Sequence, residues 1–375
     1  MANKTNIVLS NLSNVLEKGN PFVFYRKPNS TKVCQLVQND KALHYLENFN
    51  QKGFIFAPFN SLDNKILFPF ENSFFLVHEY QENCISLKDN STFSTSKLLQ
   101  KKHFNLVAKG IAFIRKNKTS KIVLSRKETI QKSNINLVKT FENLLNKYAN
   151  AFVYIWFHPE VGLWLGATPE TLINTRNKNF KTMALAGTQN FGSSINVKWE
   201  EKEIQEHQFV TDYIVDALAK INTPCKVSET NTVKAGSLLH LHTAISGRLK
   251  DKAQIGNLIK ALHPTPAVCG FPKEKAKAFI LTNENYNRSF YTGFLGELNI
   301  EVDQRQKKNN RRNIENHAYN FKEIQSNLFV NLRCMQVNNK EIYLYIGGGI
   351  TKDSIPEKEY FETVAKAEVM KSIIA

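Results

Sequence analysis

The chain has 375 residues, 42% of them hydrophobic, with 16 glycines and 11 prolines, which describes a folded globular protein rather than a disordered or fibrous one. Its formal net charge of +17 allows two readings, a polyanionic partner such as nucleic acid or a lysine-coated, solvated surface that also attracts small anions. Five scattered cysteines (Cys34, Cys84, Cys225, Cys269, Cys334), none in a C-x-x-C pair, argue against a structural zinc site and for reduced thiols.

Residues 1–95 alternate short apolar stretches with turn signals, as in "PFVFYRKPNS" and "KGFIFAPFN", and are expected to be a β-rich part of the same fold as residues 96–375. The N-terminus lacks the continuous apolar core of a signal peptide, and the longest apolar runs are strand-sized, so a cytoplasmic protein with no membrane span is expected. The polar run "LKDNSTFSTSK" (87–97) reads as a connection. Phe104, Val107, Ala108 and Ile111 then recur at helical spacing, despite Gly110. "KIVLSR" (121–126) is a buried strand, and "AFVYIWFHP", "VGLWLGAT", "ETLINT" and "KTMALAG" continue in strands. A long helix is expected from about Trp199 to Lys220, with acidic residues in its first turn. "NLFVNLRCMQV" and "EIYLYIGGG" are strands, and "EKEYFETVAKAEVMKSII" is a closing helix. The densest basic block, "QRQKKNNRRN", lies in a polar insertion (301–325) that reads as an exposed, mobile hairpin loop. It carries no interleaved aromatics of the RNA-binding kind, which favours the solvated surface over nucleic acid. Mixed strands and helices predict one large α/β or α+β unit.

Several residues carry possible chemistry. Lys121 opens an apolar strand, where desolvation would disfavour its charged form and suit it to base catalysis; a stem that packs while the ammonium reaches water is the plainer reading. Glu170, in "GATPETL", sits at a turn between strands, where a carboxyl either acts as an acid or is simply solvated. Glu206 falls on the apolar face of the long helix and needs a partner there, a cation, a hydrogen-bond cluster or a metal. Glu362 and Lys366 form an i,i+4 pair, unless Glu362 joins Glu206 in holding Mg²⁺. Gly347, Gly348 and Gly349 follow a strand and could form an anion-binding backbone nest. Arg333, in the apolar strand "NLRC", calls for an anionic partner. His240 and His242 share a strand face and read as hydrogen-bonding side chains rather than a zinc pair. The stretch "ALHPTPAVCGFPKEKA" (261–276) is stiff and almost without reactive groups, with Cys269 its one thiol.

In order and spacing, "KIVLSR", "GATPETL", "ALAGT", "EIQEHQFVTD", "LLHLHTAISG", "LHPTPAVCGFPKEKA", "YTGFLGEL", "NLRC", "YIGGGI" and "YFETVAKAEVM" resemble the chorismate-binding family, over roughly residues 100 to 372. The resemblance implies an α/β (α+β) fold of two large, mostly antiparallel sheets, with helices outside and the active site between them. It implies a Mg²⁺-dependent enzyme acting on chorismate, with Glu206 and Glu362 as metal carboxylates. Arg333, Lys366 and the backbone of Gly347, Gly348 and Gly349 would hold the substrate carboxylates, and Gly187, Thr188, His240 and Ala267 would complete the substrate site. Lys121 matches the water-activating base of isochorismate and salicylate synthases, and Glu170 the acid that protonates the departing 4-hydroxyl. Aminating relatives tend to read "FPAG(S/T)" where this chain reads "HPTPA", a form similar to isochorismate synthases. An isochorismate synthase is therefore expected, with a salicylate synthase as the alternative within the family. A basic nucleic-acid-binding protein and an inactive scaffold are the alternatives from other classes. A monomer without membrane or nucleic-acid partner is expected, and no effector pocket in the N-terminal part. The product could feed menaquinone, siderophores or salicylate, and no residue selects among them.

Overall fold

A computed structural model describes residues 7–82, 97–117, 119–132, 134–192, 194–235, 238–303, 322–338 and 340–375. The expected connection at 87–97 and the tip of the 301–325 insertion lie almost wholly outside these residues, as does Cys84. In chain order the elements are α1 (Ile7–Lys18), β1 (Phe22–Arg26), β2 (Lys32–Gln38), β3 (Gly53–Ala57), β4 (Ile66–Pro69), β5 (Ser73–Glu79), α2 (Lys97–Asn117), β6 (Lys121–Gln131) and α3 (Leu137–Lys147). There follow β7 (Phe152–His158), β8 (Gly162–Thr168), β9 (Thr171–Arg176), β10 (Asn179–Asn190), α4 (Glu201–Lys220), β11 (Cys225–Val227), β12 (Asn231–Ala235), β13 (Leu238–Arg248) and α5 (Ile255–Leu262). The chain closes with β14 (Gly270–Phe271), α6 (Lys273–Asn283), β15 (Phe294–Asp303), β16 (Lys322–Val330), β17 (Cys334–Asn338), β18 (Glu341–Ile350) and α7 (Pro356–Lys371).

These strands build two antiparallel sheets. The first runs β14-β6-β18-β17-β8-β7-β1-β2-β5, and the second β11-β13-β10-β9-β16-β15-β3-β4, with β12 paired on β13. The first 82 residues thus lay strands into both sheets. The N-terminal helix α1 was not foreseen, yet its cause is in the sequence: Val8 and Leu12 recur at helical spacing and are fully buried.

Many strands are buried on both faces, which is why they read as unbroken apolar runs instead of alternating ones. Between the sheets lies an aromatic layer, with Phe56 stacked on Phe290 at 4.1 Å and Phe68 on Trp156 at 5.1 Å between ring centroids. Such rings bury large apolar areas and prefer offset or edge-on contacts. On the outer faces, α1, α3 and α7 cover the first sheet, α4 and α5 the second, and α2 and α6 the β6 end.

Among the described residues, consecutive strands change sheet six times, and two of these changes are made by short links that border one cavity. Pro169 and Glu170 carry the chain from β8 to β9, and Asn331, Leu332 and Arg333 carry it from β16 to β17. "NLFVNLRCMQV" is therefore two strands in two sheets, and Arg333 stands in the link rather than on a strand, with φ +47 in the left-handed region. Both crossings open on one cavity.

Candidate active site

The cavity lies where β6, β18, the two crossings, the 263–269 turn and helices α4 and α7 meet. It is lined by all thirteen residues singled out from sequence: Lys121, Glu170, Gly187, Thr188, Glu206, His240, Ala267, Arg333, Gly347, Gly348, Gly349, Glu362 and Lys366.

Lys121 is the first residue of β6 and is almost wholly buried. The partner that Glu206 was expected to need is this lysine, whose Nζ lies 2.5 Å from Glu206 Oε1. The carboxylate is held below its usual range: burial opposes this, but Lys121, by charge and by hydrogen bond, outweighs it.

The glycine run does not form the expected nest. Gly347, Gly348 and Gly349 pair in regular register with Ser125, Leu124 and Val123 of β6, and none has a positive φ. Beyond Leu344, β18 has no partner from β17, so this stretch turns a strand edge to the cavity. Glycine is required by close approach: a Cβ on Gly349 would lie 2.6 Å from Lys121 Cε, and one on Gly347 2.8 Å from the Tyr291 hydroxyl. A Cβ on Gly348 would meet nothing nearer than the carboxylate oxygens of Glu359 and Glu362 at 3.8 Å.

Glu170 is nearly buried in the β8–β9 crossing, where its backbone is fixed from two sides. Val330 N donates to its carbonyl at 3.0 Å, and its own N–H donates to Thr168 Oγ1 at 3.3 Å. Burial pushes its carboxyl up to about 7, against smaller opposing effects of the Thr265 hydroxyl and the Lys121 charge. A carboxyl of this kind exchanges a proton readily at neutral pH.

Gly187 and Thr188 sit in a bulge of β10, where the register with β13 slips between Ala186 and Gln189. The bulge re-aims them at the cavity, and Gly187 adopts a φ of +72, which favours glycine. Opposite the bulge, His240 Nδ1 lies 2.9 Å from Gly187 O. A carbonyl only accepts, so this nitrogen carries the proton and Nε2 is a bare acceptor. Nε2 is buried with no hydrogen-bond partner among the described residues. Burial lowers the ring to about 4, with Arg333 adding to the effect, so it is neutral at physiological pH. His242 bonds Asn231, and His207 bonds Thr243 at 2.7 Å, so these histidines serve hydrogen bonding.

The 263–269 turn supplies the cavity wall. Val268 N and Cys269 N both donate to Thr265 O, at 3.1 and 3.0 Å, and His263 Nε2 reaches Thr292 O at 3.1 Å. Ala267 and Val268 face the cavity. Cys269 is buried with its thiol pushed up to about 12 by burial, which leaves it unreactive.

On α7, Lys366 Nζ donates to Gly347 O at 3.1 Å and pairs with Glu362 at 2.7 Å, the i,i+4 arrangement noted from sequence. Sequence reasoning missed Glu203 and Glu359, which also line the cavity. The signal was available as E-x-x-E in both helices, since a spacing of three puts two carboxylates on one helix face. Glu203 Oε2 is buried without a hydrogen-bond partner among the described residues. Glu359 is raised by burial, with the Glu362 charge adding to it. Tyr291 and Tyr345 line the site as well.

No three Asp, Glu, His or Cys side chains converge closely enough among the described residues to enclose a metal. The donor set nonetheless fits Mg²⁺, a hard cation that takes one or two carboxylates and keeps its waters. Both carboxylates, Glu206 and Glu362, border the glycine stretch of β18: a Cβ on Gly349 would lie 3.6 Å from Glu206 Oε1 and one on Gly348 3.8 Å from Glu362 Oε1, and the orphaned Glu203 oxygen offers a further acceptor.

Comparison with known proteins places this geometry. A family model described as "Chorismate binding enzyme" matches residues 67–303, and a second of the same description matches 321–372. The salicylate biosynthesis isochorismate synthase of Pseudomonas aeruginosa is 28% identical over 278 residues, 72% of this chain and 54% of that protein. Isochorismate synthase DhbC of Bacillus subtilis is 28% identical over 285 residues, 71% of this chain and 66% of that protein. The chain thus matches between about half and two thirds of the length of these relatives. The crystal structure of DhbC from Bacillus anthracis superposes with a TM-score of 0.75 at 23% identity, covering 96% of this chain and 98% of that one. Matched by family models over most of its length, and built on that family's two-sheet fold, the chain belongs to the chorismate binding enzymes.

Proposed function

We propose that the protein is an isochorismate synthase, converting chorismate to isochorismate by attack of water at C2 with loss of the C4 hydroxyl. The observation that carries this reading is the pairing of two groups across one cavity, a buried amine at Lys121 and a carboxyl at Glu170 raised to about 7. Acid and base in one enclosed site are what an allylic displacement of hydroxide by water needs. Lys121 takes a proton from the attacking water. Glu170, protonated, donates to the leaving oxygen at C4, and the double bonds shift.

The remaining residues bind and orient. Arg333 and Lys366 supply positive charge to a substrate with two carboxylates, and the bare Nε2 of His240 accepts from a substrate hydroxyl. Ala267 and Val268 shape the wall without offering a reactive group. Glu206 and Glu362 would hold Mg²⁺, which when bound supplies positive charge beside the ring carboxylate. In this reading the protein's net charge belongs to its solvated surface, it acts as a monomer in the cytoplasm, and no nucleic acid takes part.

The test is incubation with chorismate and Mg²⁺, products separated by chromatography, with and without EDTA. Isochorismate formed only with metal and without pyruvate supports the reading. Salicylate with pyruvate would make the protein a salicylate synthase, and absence of turnover would reject both.

A further inference from the structure

We propose that Thr265 is a positioning residue for Glu170, holding Oε1 so that Oε2 is the oxygen that carries the acidic proton into the cavity. This rests on the acid role assigned to Glu170 above, and adds to it a partner for the acid and a choice of oxygen.

The geometry comes first. Thr265 and Glu170 are both nearly buried, and Thr265 Oγ1 donates to Glu170 Oε1 at 3.4 Å. This is a long contact, of a length that shortens once a substrate closes the site. Thr265 is itself well fixed: its carbonyl accepts from two backbone N–H groups of its own turn. The turn is tied down in addition by Lys273 Nζ, which donates to His263 O at 2.8 Å. A rigid hydroxyl therefore meets a carboxyl whose backbone is rigid too, leaving only the side-chain torsions of Glu170 free. A donor on Oε1 removes that freedom. A carboxylic acid holds its proton on one oxygen and accepts on the other. With Oε1 accepting from Thr265, the proton resides on Oε2.

Charge around Glu170 is the second support. Burial raises the Glu170 carboxyl, and the Thr265 hydroxyl and the charge of Lys121 of β6 oppose it by favouring the ionised form. Arg333 of the second crossing, His240 of β13, Glu206 of α4 and Lys366 of α7 share the cavity. Removing the hydroxyl while leaving these groups in place should therefore raise the Glu170 carboxyl further. The turn also explains why threonine serves here: a side chain without a hydroxyl would leave Oε1 buried with no donor from the turn.

The experiment compares Thr265→Val, which keeps shape and loses the hydroxyl, with Thr265→Ser, which keeps it. Two readouts are taken on each, steady-state turnover of chorismate against pH and infrared titration of the Glu170 carboxyl, assigned by difference from Glu170→Gln. Thr265→Val should lower kcat about tenfold with KM within about twofold, since one lost hydrogen bond to a charged group is worth roughly 1.5 kcal/mol, a factor of about ten. The alkaline limb of its profile and its carboxyl titration should both move to higher pH, and Thr265→Ser should restore most of each. Equal behaviour of the two variants, or Thr265→Val with unchanged kcat and titration, would overturn the proposal. If the parent protein makes no isochorismate yet the carboxyl still titrates higher in Thr265→Val, the contact stands and the proposed reaction falls.

Discussion

Gly349→Ala isolates the placement of Lys121 from its chemistry. The added Cβ would stand 2.6 Å from Lys121 Cε and 3.2 Å from its Nζ. Non-bonded carbons rest at about 3.5–4.0 Å, so the lysine has to retreat by roughly 1 Å. The atoms that must move belong to the far end of a flexible side chain, which keeps the cost of overpacking near the low end of about 1–3 kcal/mol. Replacing glycine by alanine within a strand returns about 0.5–1 kcal/mol of that. The net loss of stability is then at most about 0.5 kcal/mol, and the variant stays folded at working temperature. Catalysis is far less tolerant, since a misplacement of about 1 Å costs on the order of 100-fold. The expected result is a kcat/KM for chorismate down by about 100-fold, with a melting temperature within a few degrees of the parent. Gly348→Ala provides the contrast, because its Cβ would make only ordinary contacts at 3.8 Å, and its loss should stay below about tenfold. Turnover in Gly349→Ala within about threefold of the parent, or equal losses in both variants, would refute the assignment of Lys121.

Other consequences can be checked alongside it. Glu170 is raised from 4.5 to about 7 by burial, so its ionisation opposes folding: its contribution is intact below pH 4.5 and is lost as pH rises through about 7. That difference corresponds to about 3 kcal/mol, so Glu170→Gln should stabilise the protein at pH 8 and gain little at pH 4, as read by denaturant unfolding at both. The same variant should lose at least about 100-fold in kcat. Lys121→Ala should abolish synthase turnover while chorismate binding, followed by calorimetry with Mg²⁺, weakens by less than about tenfold. Glu203→Gln should weaken Mg²⁺ affinity by about 10–100-fold, seen as a smaller Mg²⁺-dependent rise in melting temperature. His240→Phe removes the bare acceptor and should raise KM more than it lowers kcat.

Thirteen positions of the candidate site were legible because they lie in short blocks whose order survives in the chain, and all thirteen line one cavity. A partner for Glu206 was foreseen, as a cation, a hydrogen-bond cluster or a metal, but which of these could not be named. Lys121 lies 85 positions away, and only the approach of α4 to the β6 end joins them. Arg333 was misplaced because an apolar run gives no sign that the chain leaves one sheet for the other at its middle. The glycine run was misread for a related reason. Glycines permit both a nest and a close approach, and only the neighbours, Lys121 and Tyr291, show which applies. The second carboxylate of each pair was overlooked although E-x-x-E was in plain view, since its value depends on α4 and α7 bordering the same cavity. In the fold, the alternation of strands and helices gave the class, and pairing order was out of reach because both sheets mix N-terminal and C-terminal strands.

The most direct measurement is turnover of chorismate in oxygen-18 water with Mg²⁺, the product analysed by mass spectrometry and NMR. The account expects isochorismate carrying one solvent oxygen, placed at the C2 hydroxyl, with the original C4 oxygen released. A product without solvent oxygen, or a product aminated at C2 when ammonia is supplied, would contradict it.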